Sequence, residues 1–325
     1  MIKETNFQYL TKLYQSYISE ISWNQKPISL YEPFDYIMQQ EGKKIRPLSL
    51  LLSYGLFSDN LTAALPAAYG LELFHNFTLI HDDIMDQAAL RRGKPTVHQK
   101  YGDSSAILSG DAMLLESLQM ILKAAGPRNA ITQLFINSGL EVCRGQAMDM
   151  DFENSQSVRL PDYLQMIEKK TSVLLGCCLQ IGAMLADQPE KICNTLYQIG
   201  LNLGNAFQIQ DDIMDLYGDT TSFGKTRGGD LIQRKKTILL LTLLEDFDQK
   251  GQQEILAHYQ KQRTPQEQLA FYEDILDRHD IKNKARHTFE DYCNRCYSEI
   301  KNLDLNEPGM QQLTQFVSLV LNRNY

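Results

Sequence analysis

Leu71, Phe74, Phe77 and Ile80 fall at three-residue steps in YGLELFHNFTLIHDDIMD, and a rhythm of threes and fours governs most of the chain. Apolar residues at that spacing share one face of an α-helix. The segments YLQMIEKKTSVLLGCCLQIGAML and LYQIGLNLGNAFQIQDDIMDLYGD carry the same rhythm. Alternation of Val, Ile and Thr, the mark of strands, is rare, and only 10 prolines interrupt 325 residues. The pattern predicts an all-α fold of about ten helices. Breaks rich in Pro, Gly, Asn or Asp are expected near 24–32, 58–66, 87–104, 125–129, 154–161, 187–190, 217–230, 250–253, 262–266 and 304–309. No Pro/Ser-rich or low-complexity linker divides the chain, so residues 1–325 read as a single domain with a substantial core, 43% of residues being hydrophobic.

The pentapeptide DDIMD closes one of these apolar runs at 82–86 and another at 211–215. On a helix, Asp82 and Asp86 share a face with Asp83 beside them, and Asp211, Asp212 and Asp215 repeat the arrangement. Like charges so placed weaken a helix by roughly 0.2–0.5 kcal/mol per pair, and two carboxylates about 4 Å apart repel by roughly 4 kcal/mol at an effective dielectric near 20. A single DxxD reads as a solvated acidic face; two identical sets, each ending an apolar run, read as cation sites. The ligand series, glycine and closing Glu of an EF-hand are absent, and carboxylates with few other protein ligands suit Mg²⁺, which draws its remaining oxygens from water and phosphate.

Basic segments accompany the acids. GKKIRP supplies Lys43, Lys44 and Arg46; LRRGKP supplies Arg91, Arg92 and Lys94; EKKTS supplies Lys169 and Lys170; and the stretch 223–237 supplies Lys225, Arg227, Lys235 and Lys236. Each alone reads as a surface patch. Together, in a chain of net charge −8, they mark a site for diphosphates. The acidic balance gives no nucleic-acid footprint. No GxxxxGK[ST], GxGxxG or GxSxG motif occurs. The six scattered cysteines read as reduced thiols of a cytoplasmic protein, with Cys293 and Cys296 the one CxxC pair. The N-terminal segment lacks the apolar region of a signal peptide, and the run 171–186 reads as a core helix and not a membrane span.

The motifs GKKIRP, ELFHNFTLIHDDIMD, LRRGKPTVH, SGDAML, GQAMDMDF, KKTS, FQIQDDIMDLYGD, GKTRGGDL and KKT, in that order from Glu41 to Thr237, make the chain resemble the trans-type isoprenyl diphosphate synthases, or polyprenyl synthetases. That resemblance implies a bundle of ten or more antiparallel helices around a deep central cavity, in a homodimer. It implies condensation of isopentenyl diphosphate with an allylic diphosphate (dimethylallyl, geranyl or farnesyl), releasing pyrophosphate. Asp82 and Asp86, supported by Asp83, would hold two Mg²⁺ ions, and Asp211, with Asp212 and Asp215 close by, a third. Arg91, Lys170, Lys225 and Lys235 would grip the allylic diphosphate, and Lys43, Arg46, His75 and Arg92 the isopentenyl diphosphate. Thr171, Gln208 and the Lys170 carbonyl would face the allylic cation, with Gln146 and Asp149 in support. Two letters depart from the family pattern: Arg234 stands where Gly is frequent, leaving Lys235 and Lys236 both open as the phosphate ligand, and Thr226 stands where Pro is frequent.

Phe77, five residues before Asp82, would floor the cavity and stop the prenyl tail early, while small Thr78, four before, would leave some depth, for a product of C15 or C20. A class I terpene cyclase or a head-to-head synthase would also use helical aspartates, but neither explains Lys43 and Arg46 beside two DDxxD motifs. A non-catalytic partner subunit usually lacks some acidic ligands, and this chain keeps all six.

Overall fold

The computed structural model describes residues 7–40, 42–155, 157–218, 227–260 and 264–321. These residues are almost entirely helical, as the apolar rhythm predicts. They form two compact units, each assembled from the described residues of separate stretches: 1–136, 177–197 and 304–313 in the first, and 137–176, 198–303 and 314–325 in the second.

The first unit is built on α1 (Phe7–Ser19), α2 (Ile28–Met38), α3 (Ile45–Gly55), α4 (Leu65–Met85), α5 (Val97–Tyr101) and α6 (Asp103–Lys123). α4 is its central helix. From Leu65 to Phe77 nearly every residue is buried, whichever way it points. A helix apolar all round belongs inside a core. α4 ends in a Schellman motif: the Gln87 N–H bonds the Ile84 carbonyl and the Ala88 N–H bonds the Asp83 carbonyl. Gln87 takes the left-handed conformation that the motif requires, with φ 49°. The first acidic motif therefore lies at a helix C-terminus, the negative end of the macrodipole. The expected break at 87–104 instead holds a hairpin, Leu90–Arg91 paired with Lys94–Pro95, and the short helix α5.

The remaining helices are α7 (Arg128–Asn154), α8 (Leu160–Ile167), α9 (Val173–Leu185), α10 (Glu190–Tyr217), α11 (Gly229–Ile232), α12 (Ile238–Glu245), α13 (Gln249–Gln260), α14 (Pro265–Arg278), α15 (Ile281–Asn302) and α16 (Glu307–Leu321). In the second unit α12 is buried on all faces from Ile238 to Leu244 and packs among Tyr163, Ile167, Ile209, Leu276 and Ile281. The break expected at 250–253 is not there. α13 runs through it, because the Asp248 carboxylate accepts the Gly251 N–H at 2.9 Å and caps the helix start three residues earlier.

The run EKKTS is also not plain α-helix. Glu168–Ser172 forms a π-helical turn between α8 and α9. A Cβ on Gly145 of α7 would lie 2.3 Å from the Lys170 nitrogen, and one on Gly204 of α10 would lie 2.4 Å from the Ser172 Cα. Two neighbouring backbones thus close on the turn where only glycine leaves room. The wider π turn carries Lys170 and Thr171, and such turns recur at functional sites. Among the described residues one helix, α6, is long and apolar enough to cross a membrane, and 33% of its most apolar window is buried. All six cysteines are free thiols, and burial pushes the Cys293 thiol up to about 11.

Candidate active site

In the first unit the DDIMD motif separates into different environments. Asp82 is half-buried and Asp86 exposed, while Asp83 is 1% exposed. The Arg91 guanidinium spans the Asp83 carboxylate, with Nε 2.9 Å from both oxygens and Nη2 2.7 Å from Oδ1. Asp83 therefore faces inward and fixes the hairpin that follows the helix. Arg92 and Gly93 form the two-residue loop of that hairpin, with φ 53° and 75°. Two positive φ values in succession are the pattern of a type I′ turn, which favours Asn and Gly. An arginine held there lifts its guanidinium over Gly42, whose added Cβ would meet Nη1 at 2.8 Å.

Beside the hairpin, Arg46 Nη1 lies 3.1 Å from His75 Nε2. A guanidinium can only donate, so Nε2 accepts and the His75 proton sits on Nδ1. Burial, followed by the charges of Arg46, Arg92, Arg91 and Lys44, holds His75 well below its ordinary pKa, and the ring is neutral. Lys44 pairs with Glu72 at 2.9 Å, and Glu72 also accepts from Asn76. Glu72 and Asn76 went unnoticed in the sequence. Their signal was a polar pair four apart inside an apolar helix, aligned with His75. Lys43 is exposed. Phe77 is buried in an aromatic row, with ring centroids 4.8 Å from His81 and 5.5 Å from Phe74, which in turn stands 5.3 Å from Phe135. The Thr78 hydroxyl donates to the His75 carbonyl at 2.8 Å.

In the second unit Asp211 and Asp215 are half-buried and Asp212 is 5% exposed. Asp212 accepts from the Tyr163 hydroxyl at 2.6 Å, from Gln208 Nε2 at 3.1 Å and from the Ile238 N–H at 3.2 Å. Burial outweighs these donors and raises its pKa to about 7. Gln208 Oε1 in turn accepts from the Thr171 hydroxyl at 3.2 Å. Asp215 accepts the Asp230 N–H at 3.0 Å at the start of α11. Lys170 pairs with Asp149 at 2.5 Å and Lys235 reaches Asp230 at 3.9 Å. Gln146 is buried on the same helix as Asp149.

α11 ends in a second Schellman motif. The Arg234 N–H bonds the Leu231 carbonyl, the Lys235 N–H bonds the Asp230 carbonyl, and Arg234 has φ 63°. That conformation is the physical reason glycine suits this position. Lys236 donates to the carbonyls of Phe152 and Ser155 at the end of α7. It caps a helix there. Lys225 lies outside the described residues.

The donor set suits Mg²⁺. Asp82, Asp86, Asp211 and Asp215 present hard carboxylate oxygens at helix ends, with no Cys or His among them. Among the described residues no three acidic, His or Cys side chains converge into a finished cage.

With this geometry in place, comparison with known proteins is decisive. The polyprenyl synthetase family profile matches residues 27–275. The chain belongs to the polyprenyl synthetase family. A short chain isoprenyl diphosphate synthase of Methanocaldococcus jannaschii is 38% identical over 253 residues, covering 77% of this chain and 77% of that protein. The geranylgeranyl pyrophosphate synthase of Geoglobus acetivorans is 32% identical over 319 residues, 97% of each chain. A crystal structure of a geranylgeranyl pyrophosphate synthase superposes with a TM-score of 0.93 at 35% identity, covering 99% of this polyprenyl synthetase and 100% of that chain.

Proposed function

We propose that this polyprenyl synthetase joins isopentenyl diphosphate to an allylic diphosphate head to tail, giving a C15 or C20 trans-prenyl diphosphate and pyrophosphate. The observation that carries this reading is the placement of one DDIMD motif at each of two helix C-termini, with basic groups beside both. Acids at the negative end of a helix are unfavourable unless a cation joins them. Mg²⁺ bound there neutralises charge developing on the leaving pyrophosphate.

Asp82 and Asp86 hold ions for the first motif and Asp211 for the second, with Asp215 close by; three ions per site are expected. Asp83 and Asp212 stay in their buried hydrogen bonds. Lys170 and Lys235, with Lys225, bind the allylic diphosphate. Arg91 joins them with the part of its guanidinium not turned to Asp83, since the group carries five N–H donors. Lys43, Arg46, His75 and Arg92 hold isopentenyl diphosphate, His75 through its Nδ1 proton. Thr171, Gln208 and the Lys170 carbonyl offer oxygen dipoles to the allylic carbon without a strong nucleophile. Holding the isopentenyl carbon within attack distance is a positioning task. The departing pyrophosphate takes the last proton, so no side-chain base is required.

Leu108, Leu115 and Leu122 stand at seven-residue intervals on α6 and are 61%, 63% and 46% exposed. We read this row as the seam with a second copy of the chain, in a cytoplasmic homodimer. Sedimentation of the purified protein tests it, and monomers at micromolar concentration would count against it.

The activity is tested by incubating the protein with Mg²⁺, labelled isopentenyl diphosphate and each allylic partner, then chromatographing the products. C15 or C20 chains are expected, and Phe77→Ala lengthens them. An unchanged product distribution in that variant would remove Phe77 from the cavity floor.

A further inference from the structure

Three side chains in the second unit form one hydrogen-bonded line from the core to Thr171. Tyr163 Oη donates to Asp212 Oδ2, Gln208 Nε2 donates to Asp212 Oδ1, and Thr171 Oγ1 donates to Gln208 Oε1. The direction of that line is fixed by chemistry. Three donors surround the Asp212 carboxylate and favour its ionised form, which has no proton to give, so the group facing it must be a donor. Tyr163 and the Ile238 N–H both fill Oδ2, and the amide NH₂ of Gln208 is left for Oδ1. The Gln208 oxygen must then point the other way, and it meets the Thr171 hydroxyl. Reversed, the amide would point N–H groups at the reacting end and repel a developing cation.

We propose that Asp212, held by Tyr163, locks the Gln208 amide with its oxygen outward, so that Thr171 and Gln208 present lone pairs to the allylic carbon. Tyr163 and Asp212 are then positioning residues. Asp212, which the motif places beside the metal-holding Asp211, is an orienting group instead. Tyr163 is buried beside α12, and among the described residues its hydroxyl has one hydrogen-bond acceptor, Asp212. This inference rests on the prenyl-transfer reading and names a duty that reading does not assign.

The test uses steady-state kinetics of the full chain with Mg²⁺, isopentenyl diphosphate and geranyl diphosphate, together with thermal unfolding of each variant. Wild-type turnover secures the reaction itself; a wild type that forms no prenyl product sinks that reading and this inference with it, whereas variants measured against an active parent test the inference alone. Tyr163→Phe loosens the lock and is expected to lower kcat about tenfold, with both KM values and the Mg²⁺ half-saturation within about twofold. Asp212→Asn has a sharper consequence. Tyr163 and Ile238 must still donate, so the introduced oxygen takes their side and the introduced NH₂ faces Gln208. Gln208 then reverses, and kcat is expected to fall about 100-fold or more at unchanged Mg²⁺ half-saturation. Adding Gln208→Glu to that variant restores an acceptor toward the introduced NH₂ and an oxygen toward Thr171, and about tenfold of the loss should return. The proposal is overturned if Asp212→Asn raises the Mg²⁺ requirement while keeping kcat at saturation, which would make Asp212 a metal ligand. It is equally overturned if the double variant is no better than the single, if Tyr163→Phe is kinetically wild type, or if kcat, KM and thermal stability shift together.

Discussion

Arg91 closes on both oxygens of Asp83, and the pair ties the last turn of α4 to the hairpin that follows it. Asp83 is buried while Arg91 keeps 27% of its side-chain surface. Asp83→Ala strands a partly solvated guanidinium and is expected to cost about 2 kcal/mol in urea unfolding, less than a fully buried pair would. Its Mg²⁺ half-saturation should shift far less than that of Asp82→Ala. Equal shifts in the two variants would return Asp83 to the ligand set.

Arg92 and Arg234 both hold left-handed backbone, at φ 53° and 63°. Glycine at either position is expected to stabilise the fold by about 1 kcal/mol. The functional consequences should diverge. Arg92→Gly removes a cation from the proposed isopentenyl diphosphate pocket and should raise the KM for that substrate about tenfold or more. Arg234→Gly keeps the Schellman motif and should leave both KM values within about twofold. Unfolding midpoints and KM values of the two variants check both halves.

Gly145→Ala introduces a methyl 2.3 Å from the Lys170 nitrogen and 2.6 Å from its Cα. Alanine ordinarily gains about 1 kcal/mol over glycine in a helix. Here backbone meets backbone, and overpacking of that kind costs about 1–3 kcal/mol or more. The variant is expected to be less stable than wild type and to lose kcat, because the π turn carrying Lys170 and Thr171 must move. A more stable, fully active Gly145→Ala would show the turn to be free of α7.

His75 gives the folded protein a pH dependence of definite sign. Its folded pKa is held well below the ordinary value by burial and by Arg46, Arg92, Arg91 and Lys44. Below about pH 6.5 the unfolded chain takes up a proton that the folded site refuses. Stability therefore falls as pH drops through that range, by up to about 1.4 kcal/mol per pH unit from this group, and is unaffected by it above. In His75→Gln that contribution disappears. Urea midpoints at about pH 7.5 and pH 5.5 should differ less in the variant than in wild type.

The long helices and the position of both acidic motifs were legible because apolar residues at threes and fours commit a face, and both motifs close such a face. The family order of the basic loops was equally plain. The family resemblance set Asp82 apart from Asp83 and Asp211 from Asp212, but the apolar rhythm alone could not. Adjacent helical residues point in different directions, and only the packing around α4 and α10 decides which one is buried. The π turn at 168–172 was hidden for a similar reason: glycines on two other helices create the room for it. Tyr163 lies 49 residues from Asp212, so nothing local announced the bond between them. The left-handed Arg234 could be seen only as a departure from a frequent glycine until its φ gave the reason.

Turnover of labelled isopentenyl diphosphate with geranyl diphosphate, followed across a Mg²⁺ titration, bears most directly on whether the two acidic motifs do the chemistry. Wild type should form prenyl product only with Mg²⁺ and lose it in EDTA, while Asp82→Ala and Asp211→Ala should each fall by about 10³-fold or more at saturating substrate. Product formed in EDTA, or wild-type rates in either alanine variant, would contradict the role given to those carboxylates.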